Sequence, residues 1–220
     1  MGTLALNLAH EIRNPLNAAK LQLMLLGRDV GKLQVAPEAK VALDRRAAIV
    51  GDEIERLNRL LTEFLELARP RGLARAPVAL AELVDGVLSL ERAAAESRGV
   101  RIEIDVPSGL VMVGDVEKLK QVILNLVVNA LEAMKDGGRL HLRGREAGDA
   151  IELEIEDSGP GISPELLSQI FDPFFTTKEA GTGLGLSIVR KIVDQHGGDI
   201  RIESERGKGT RAVVTVPRAR

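Results

Sequence analysis

The stretch LKQVILNLVVNALEAM, residues 119–134, decides how the rest of the chain is read. Its apolar residues recur at helical spacing, which predicts one helix over residues 115–135. Asn125 and Asn129 stand four apart and share a face of that helix. Two amide oxygens aimed the same way can ligate a hard cation. Magnesium suits such a pair, because it takes few protein ligands and completes its shell with phosphate and water. The competing reading is a pair of amides that satisfies neighbouring backbone groups.

Downstream, DSGPGI (157–162) follows a strand predicted at 151–156. Asp157 can accept a hydrogen bond from an exocyclic amine, while Gly159 and Gly161 let the backbone approach a flat base. GTGLGLSIVRKIV (181–193) alternates Gly181, Gly183 and Gly185 into a helix predicted over 184–196. Successive N–H groups leading into a helix N-terminus make an anion cradle. The G-x-G-x-G spacing, with no parallel βαβ unit around it, is not a dinucleotide fingerprint. Without Lys-Ser/Thr after the last glycine it is not a Walker A loop. Between the two glycine segments lies FDPFFTTK (171–178), holding three of the four phenylalanines. Such a cluster suits a lid over a nucleotide, with Lys178 reaching a phosphate, or else a small satellite core.

Upstream, residues 80–98 read as a helix, and Val100 to Val106 alternates apolar and polar as a half-buried strand does. Further strands are predicted at 139–145, 199–204 and 210–216. Helices and a mostly antiparallel sheet in this order predict an α+β chain whose second part is a two-layer α/β sandwich.

The first 70 residues carry two helical seams. Ala5, Ala9, Ile12, Leu16, Ala19, Leu23, Leu26 and Val30 form one, and Leu43, Ala47, Val50, Ile54, Leu57, Leu61, Phe64 and Ala68 the other. Gly27 to Pro37 reads as the turn between them. Two helices cannot enclose a full core. Dimerisation into a four-helix bundle would cover both seams, as would packing of the hairpin on its own C-terminal domain. The stretch RPRGLARAP (69–77) has linker composition. The expected organisation is a hairpin over 1–70, a linker over 71–76 and a second domain over 77–220.

HEIRNPLN (10–17) lies inside the first helix. His10 sits beside the seam, with Asn14 and Asn17 on its face, and Pro15 removes a backbone bond to Glu11 and should bend the helix. Neutral imidazole can attack a phosphoryl group while Glu11 accepts the second ring proton. Asn14 can hold a water for the reverse hydrolysis. The plain alternative is a solvated helix face with an incidental histidine.

Thirty Lys+Arg against 32 Asp+Glu leave a net charge of −2, which excludes a polybasic protein working on the nucleic-acid backbone. Zero cysteines exclude a disulfide scaffold, a thiolate metal site and a cysteine nucleophile. No apolar run approaches the ~18 residues of a membrane span. The N-terminus lacks a basic stretch ahead of an apolar one, so no signal peptide is expected.

LAHEIRNPLNA resembles the H-box of sensor histidine kinases of two-component systems. The order and spacing of the C-terminal segments resemble the N, G1, F and G2 boxes of the Bergerat ATP-binding fold. NALEAM resembles the nitrogen-regulation-like branch. The resemblance implies that His10 accepts a phosphoryl group from ATP, Glu11 is its acid/base partner and Asn14 supports phosphatase chemistry. It implies that Asn129 ligates Mg2+ with support from Asn125, and that Asp157 contacts the adenine amino group. Gly159, Gly161, Ile162, Lys178, Gly181, Gly183, Leu184, Gly185 and Leu186 then shape the nucleotide site, and Thr210 joins the adenine-side hydrogen bonds. Hydrolytic members of the superfamily carry Glu where Asn125 stands, so its absence argues for transfer to a side chain. Glu132 occupies a position where many relatives are basic. Lys178, Arg190 and Lys191 are therefore candidates for the phosphate cation, and Glu132 a candidate to assist magnesium. The expected partners are a second copy of the chain and a response-regulator receiver domain, in the cytoplasm, with the sensor's input region upstream. A regulator phosphatase and a non-catalytic nucleotide-binding dimeric scaffold are the alternatives.

Overall fold

The computed structural model describes residues 2–30, 37–68, 72–178 and 181–219; for residues 2–11, 13, 29, 37 and 66–68 the backbone alone is described. By backbone contacts the chain divides into two compact units. One is Met1–Pro70 with Thr176–Leu184, and the other is Arg71–Phe175 with Gly185–Arg220.

The first unit holds α1 (Gly2–Val30) and α2 (Pro37–Ala68), packed on each other. Gly27 was expected in the turn but lies within α1, and Pro37 opens α2. A helix tolerates one glycine at a cost of about 1 kcal/mol, while proline fits the first helical position because no bond is lost there. The helix also runs on through Pro15. Lys20 of α1 meets Glu55 of α2 at 2.7 Å. Leu23, Leu26, Val30, Leu43, Ala47 and Val50 line an open apolar groove.

The second unit carries a five-stranded sheet in the order β2-β4-β5-β7-β6, with β2 (Val100–Asp105), β4 (Gly138–Ala147), β5 (Ala150–Asp157), β6 (Asp199–Glu205) and β7 (Gly209–Pro217). All its pairs are antiparallel except β2 with β4. Helices α3 (Leu80–Ser97), α4 (Val116–Ala133) and α6 (Gly185–Gln195) supply the other layer. Alternation in IELEIED (151–157) sends Ile151, Leu153 and Ile155 to the core. There they join Leu80, Val84 and Leu88 of α3, Val122, Leu126 and Leu131 of α4, and Ile188 and Val189 of α6, all buried.

The opposite sheet face has no second layer of helices among the described residues. Ion pairs cover it instead. Glu154 accepts from Arg143 at 2.9 Å and from Arg211, and Glu152 accepts from Arg145 at 2.6 Å. Burial pushes the Glu154 carboxyl up, but Arg211 and then Arg143 more than offset this and hold it below the usual value.

Three elements escaped the sequence reading. β1 (Ala76–Ala79) pairs antiparallel with β3 (Val111–Gly114), so the linker-like stretch ends in a strand. The short α5 (Pro164–Leu167) follows the first glycine segment. Ala74 N–H also donates to Asp115 Oδ2 at 3.0 Å, and the Arg75 guanidinium to the Gln195 carbonyl at 2.8 Å. The expected linker over 71–76 is thus tied down in its second half.

Candidate nucleotide site

Helix α4 positions both asparagines. Asp115 caps its start by accepting from Lys118 N–H, and the buried stripe Leu119, Val122, Ile123, Leu126 and Val127 fixes its rotation. Asn125 and Asn129 are then half-buried toward α6. The Asn125 side-chain amide donates to the Gly185 carbonyl at 3.3 Å. A methyl group built on Gly185 would lie 4.0 Å from the Asn129 amide nitrogen. The asparagine pair and the last glycine of the G-x-G-x-G loop therefore meet, although 60 residues separate Asn125 from Gly185. Glu132 follows on the same helix and is also half-buried. Among the described residues no cluster of three His, Cys, Asp or Glu could hold a metal. The donor set fits a cation that brings most of its own ligands, as phosphate-bound magnesium does.

The second part of the site is the end of the sheet's core-facing side. Asp157 stands opposite Thr210, and Thr210 opposite Ser204, so a polar row crosses β5, β7 and β6. The adjacent row, Ile155, Ala212 and Ile202, is apolar. Asp157 is buried, and its Oδ1 accepts from Gly159 N–H at 2.8 Å. Gly161 has φ +69 and a Cβ there would overlap the Glu205 carbonyl; a Cβ on Gly209 would overlap the Asp157 carbonyl. Only glycine lets the 157–162 turn and the β6–β7 hairpin approach this closely. The Gly207 N–H to Pro160 carbonyl bond at 2.7 Å closes the contact. Ile162 is half-buried, and its N–H donates to Ser204 Oγ at 2.8 Å.

The segment 176–184 has its own local geometry. Lys178 N–H donates to Thr176 Oγ1 at 3.1 Å, and Gly181 N–H to the Lys178 carbonyl at 3.2 Å. Gly183 has φ +71, and Leu184 is fully buried, its N–H donating to Thr182 Oγ1. Leu186, in the first turn of α6, is half-buried.

Arg190 lies 4.3 Å over the Phe171 ring and 3.5 Å from Asp199. One expectation needs correcting here. The phenylalanines do not form a satellite core, since Phe174 is 60% exposed and has φ 69. Lys178 and Lys191 are both half-buried.

His10 and Glu11 lie on α1, one turn before Asn14. Their side chains fall outside the described residues; Asn14 is exposed.

Sequence reasoning missed Ser204, whose signal was the hairpin register that sets it opposite Thr210. It also missed the Asp115–His196 pair. His196 is fully buried; its Nε2 accepts from Asp115 N–H at 3.0 Å, and Nδ1 lies 2.7 Å from the Ile192 carbonyl. Burial pushes the Asp115 carboxyl up, yet the amides of Ala74, Lys118 and Glu117 hold it below the usual value.

Residues 114–220 match the family model of histidine kinase-, DNA gyrase B-, and HSP90-like ATPases, and residues 1–72 that of the His Kinase A phospho-acceptor domain. The chain is 38% identical over 218 residues to the sensor histidine kinase ZraS of Escherichia coli (strain K12), covering 99% of this chain and 45% of ZraS. It spans less than half the length of the curated relatives it matches. Full-length ShkA in complex with AMPPNP superposes over the whole of this chain and 46% of its own, with a TM-score of 0.80 and 26% identity. The catalytic domain of histidine kinase ThkA is 35% identical over 65% of this chain and 95% of that domain, with a TM-score of 0.61. ThkA in complex with response regulator protein TrrA matches 99% of this chain and 62% of its own, with 31% identity and a TM-score of 0.72. Only residues 73–113 fall between the two family models, and the asparagine helix and both glycine segments lie inside the second. The chain belongs to the sensor histidine kinase family.

Proposed function

We propose that the chain is the catalytic core of a sensor histidine kinase, which moves the γ-phosphoryl group of Mg-ATP to His10 and then to an aspartate of a response-regulator receiver domain. The observation that carries this reading is the junction of Asn125 with Gly185, in a chain whose N-terminal third matches a phospho-acceptor domain. ThkA, a relative, forms a complex with a response regulator protein, which supports the second transfer.

In this reading Asp157 accepts from the adenine amine, and Gly159, Gly161 and Ile162 shape the base slot beside Thr210. Asn129, supported by Asn125 and Glu132, would hold magnesium. When bound, magnesium neutralises phosphate charge. The backbone of Gly181, Gly183 and Gly185 cradles the phosphates, Leu184 and Leu186 support that loop, and Lys178 reaches the terminal group. At His10 a nitrogen–phosphorus bond forms as the bond from the γ-phosphorus to the ADP oxygen breaks. Glu11 takes the proton of the second ring nitrogen. Most of the catalysis is positioning and charge neutralisation, so the ATP-binding unit must reach His10 and then withdraw. Two copies pair through the hairpins into a four-helix bundle, which covers the seam residues Leu26, Leu43, Val50 and Phe64, all exposed in the single chain. Exposed Asn14, one turn from His10, favours a second activity, regulator dephosphorylation.

The test is incubation of the chain with γ-labelled Mg-ATP. Acid-labile, base-stable label is expected on the wild type, and none on His10→Gln, with ATP affinity nearly intact. Label persisting on His10→Gln overturns the assignment. Loss of phosphate from a phosphorylated regulator, reduced in Asn14→Ala, checks the second activity.

A further inference from the structure

Ser204 Oγ makes three hydrogen bonds, and counting protons gives them directions. The Ile162 N–H donates to it at 2.8 Å. Its own proton goes to the Gly209 carbonyl at 2.7 Å, an atom that can only accept. A serine hydroxyl has one proton, so the 2.9 Å contact with Thr210 Oγ1 uses the proton of Thr210. With that proton committed, Thr210 offers only lone pairs to its other neighbours. The cross-strand neighbour on its other side is the Asp157 carboxylate, also an acceptor.

We infer that Ser204 is a positioning residue for nucleotide choice: by fixing the Thr210 hydroxyl as an acceptor it makes the base slot read adenine and reject guanine. The inference rests on the nucleotide reading above. Adenine presents an N6 amine, a donor, where guanine presents O6, an acceptor. A row of acceptors in direct contact takes the amine and leaves guanine O6 facing lone pairs. A site built around one hydrogen-bond polarity discriminates strongly against the analogue that inverts it. Without Ser204, the Thr210 hydroxyl rotates freely and donates to O6. Asp157 still disfavours guanine, so discrimination weakens without vanishing.

The test is calorimetric titration of the full chain with Mg-ATP and Mg-GTP, read as the ratio of the two dissociation constants. Ser204→Ala is expected to reduce the preference for ATP about three- to tenfold, the weight of one hydrogen bond. Ser204→Thr, which keeps the hydroxyl, restores it. Thr210→Val also reduces the preference, and in that background Ser204→Ala changes the ratio no further. If Ser204→Ala does not fold, Ser204→Cys, a weak hydrogen-bonding partner of similar size, is read the same way. Equal loss of ATP and GTP affinity in the serine variants means a purely structural role and overturns the inference, as does a wild type without preference. Asp157→Ala tests the underlying reading separately: unchanged ATP affinity puts the base elsewhere, whatever Ser204 does.

Discussion

Helices α1 and α2 carry amphipathic patterns much like those of α3 and α4, yet the outcome differs. In the hairpin the seam residues Leu26, Val50 and Phe64 stay 58%, 49% and 42% exposed. In the sandwich Leu80, Leu88 and Leu131 are fully buried. A hydrophobic stripe says that a face is to be covered and leaves open by what. In the sandwich the sheet lies across the stripes of α3, α4 and α6. In the hairpin one helix covers only part of the other, and the remainder calls for a partner, which is the basis for the proposed dimer.

The sharpest way to break this comparison is to cut side chains on each side of it. Leu131→Ala should cost about 2–5 kcal/mol, measured as a shift in denaturant midpoint, because the rigid core leaves a cavity. A shift under 1 kcal/mol would mean that the sandwich is packed as loosely as the hairpin. Next in size is a change that spares the core. Asn129→Ala should weaken Mg-ATP binding about ten- to a hundredfold, the loss of one strong polar contact, without moving the sandwich's melting temperature. Unchanged affinity removes its ligand role.

The charged face of the sheet offers a smaller test, through pH. The folded Glu154 carboxyl titrates below its ordinary value, held there against burial by Arg211 and Arg143. Its contribution is therefore complete above the unfolded carboxylate range and fades as pH falls through the lower folded value. Acid unfolding should be shallower in Glu154→Gln than in wild type, by about 1 kcal/mol of pH-dependent stability. Parallel acid limbs in the two proteins would show that the pair contributes nothing. The smallest effect belongs to the hairpin. Met24→Ser should change the single chain's stability by less than about 0.5 kcal/mol, and any larger loss of melting temperature should vanish on dilution. A large, concentration-independent loss would mean that the hairpin closes its own core.

Long periodic segments were legible because their apolar spacing is local. The helix about Asn125 and Asn129, the alternation in IELEIED and the final hairpin all read directly. β1 and β3 did not, since APVA and VMVG are four residues each and hold their extended form by pairing with one another. Gly27 was misread as a turn because its helical state depends on the seam on either side rather than on its own propensity. Ser204 and the Asp115–His196 pair sit in no motif; Ile162, which donates to Ser204, is 42 residues away in sequence, and Asp115 is 81 residues from His196.

Sequence alone determined the residue chemistry: an imidazole beside a carboxylate, two amides on one helix face, and glycines where backbone must come close. Tertiary structure decided the directions. It set the Asn125 amide on Gly185, paired Arg190 with Phe171 and Asp199, and aligned Asp157, Thr210 and Ser204 across three strands. Hydrogen-bond polarity depends on which atoms meet, and atoms far apart in the chain meet only once the sheet has closed its register.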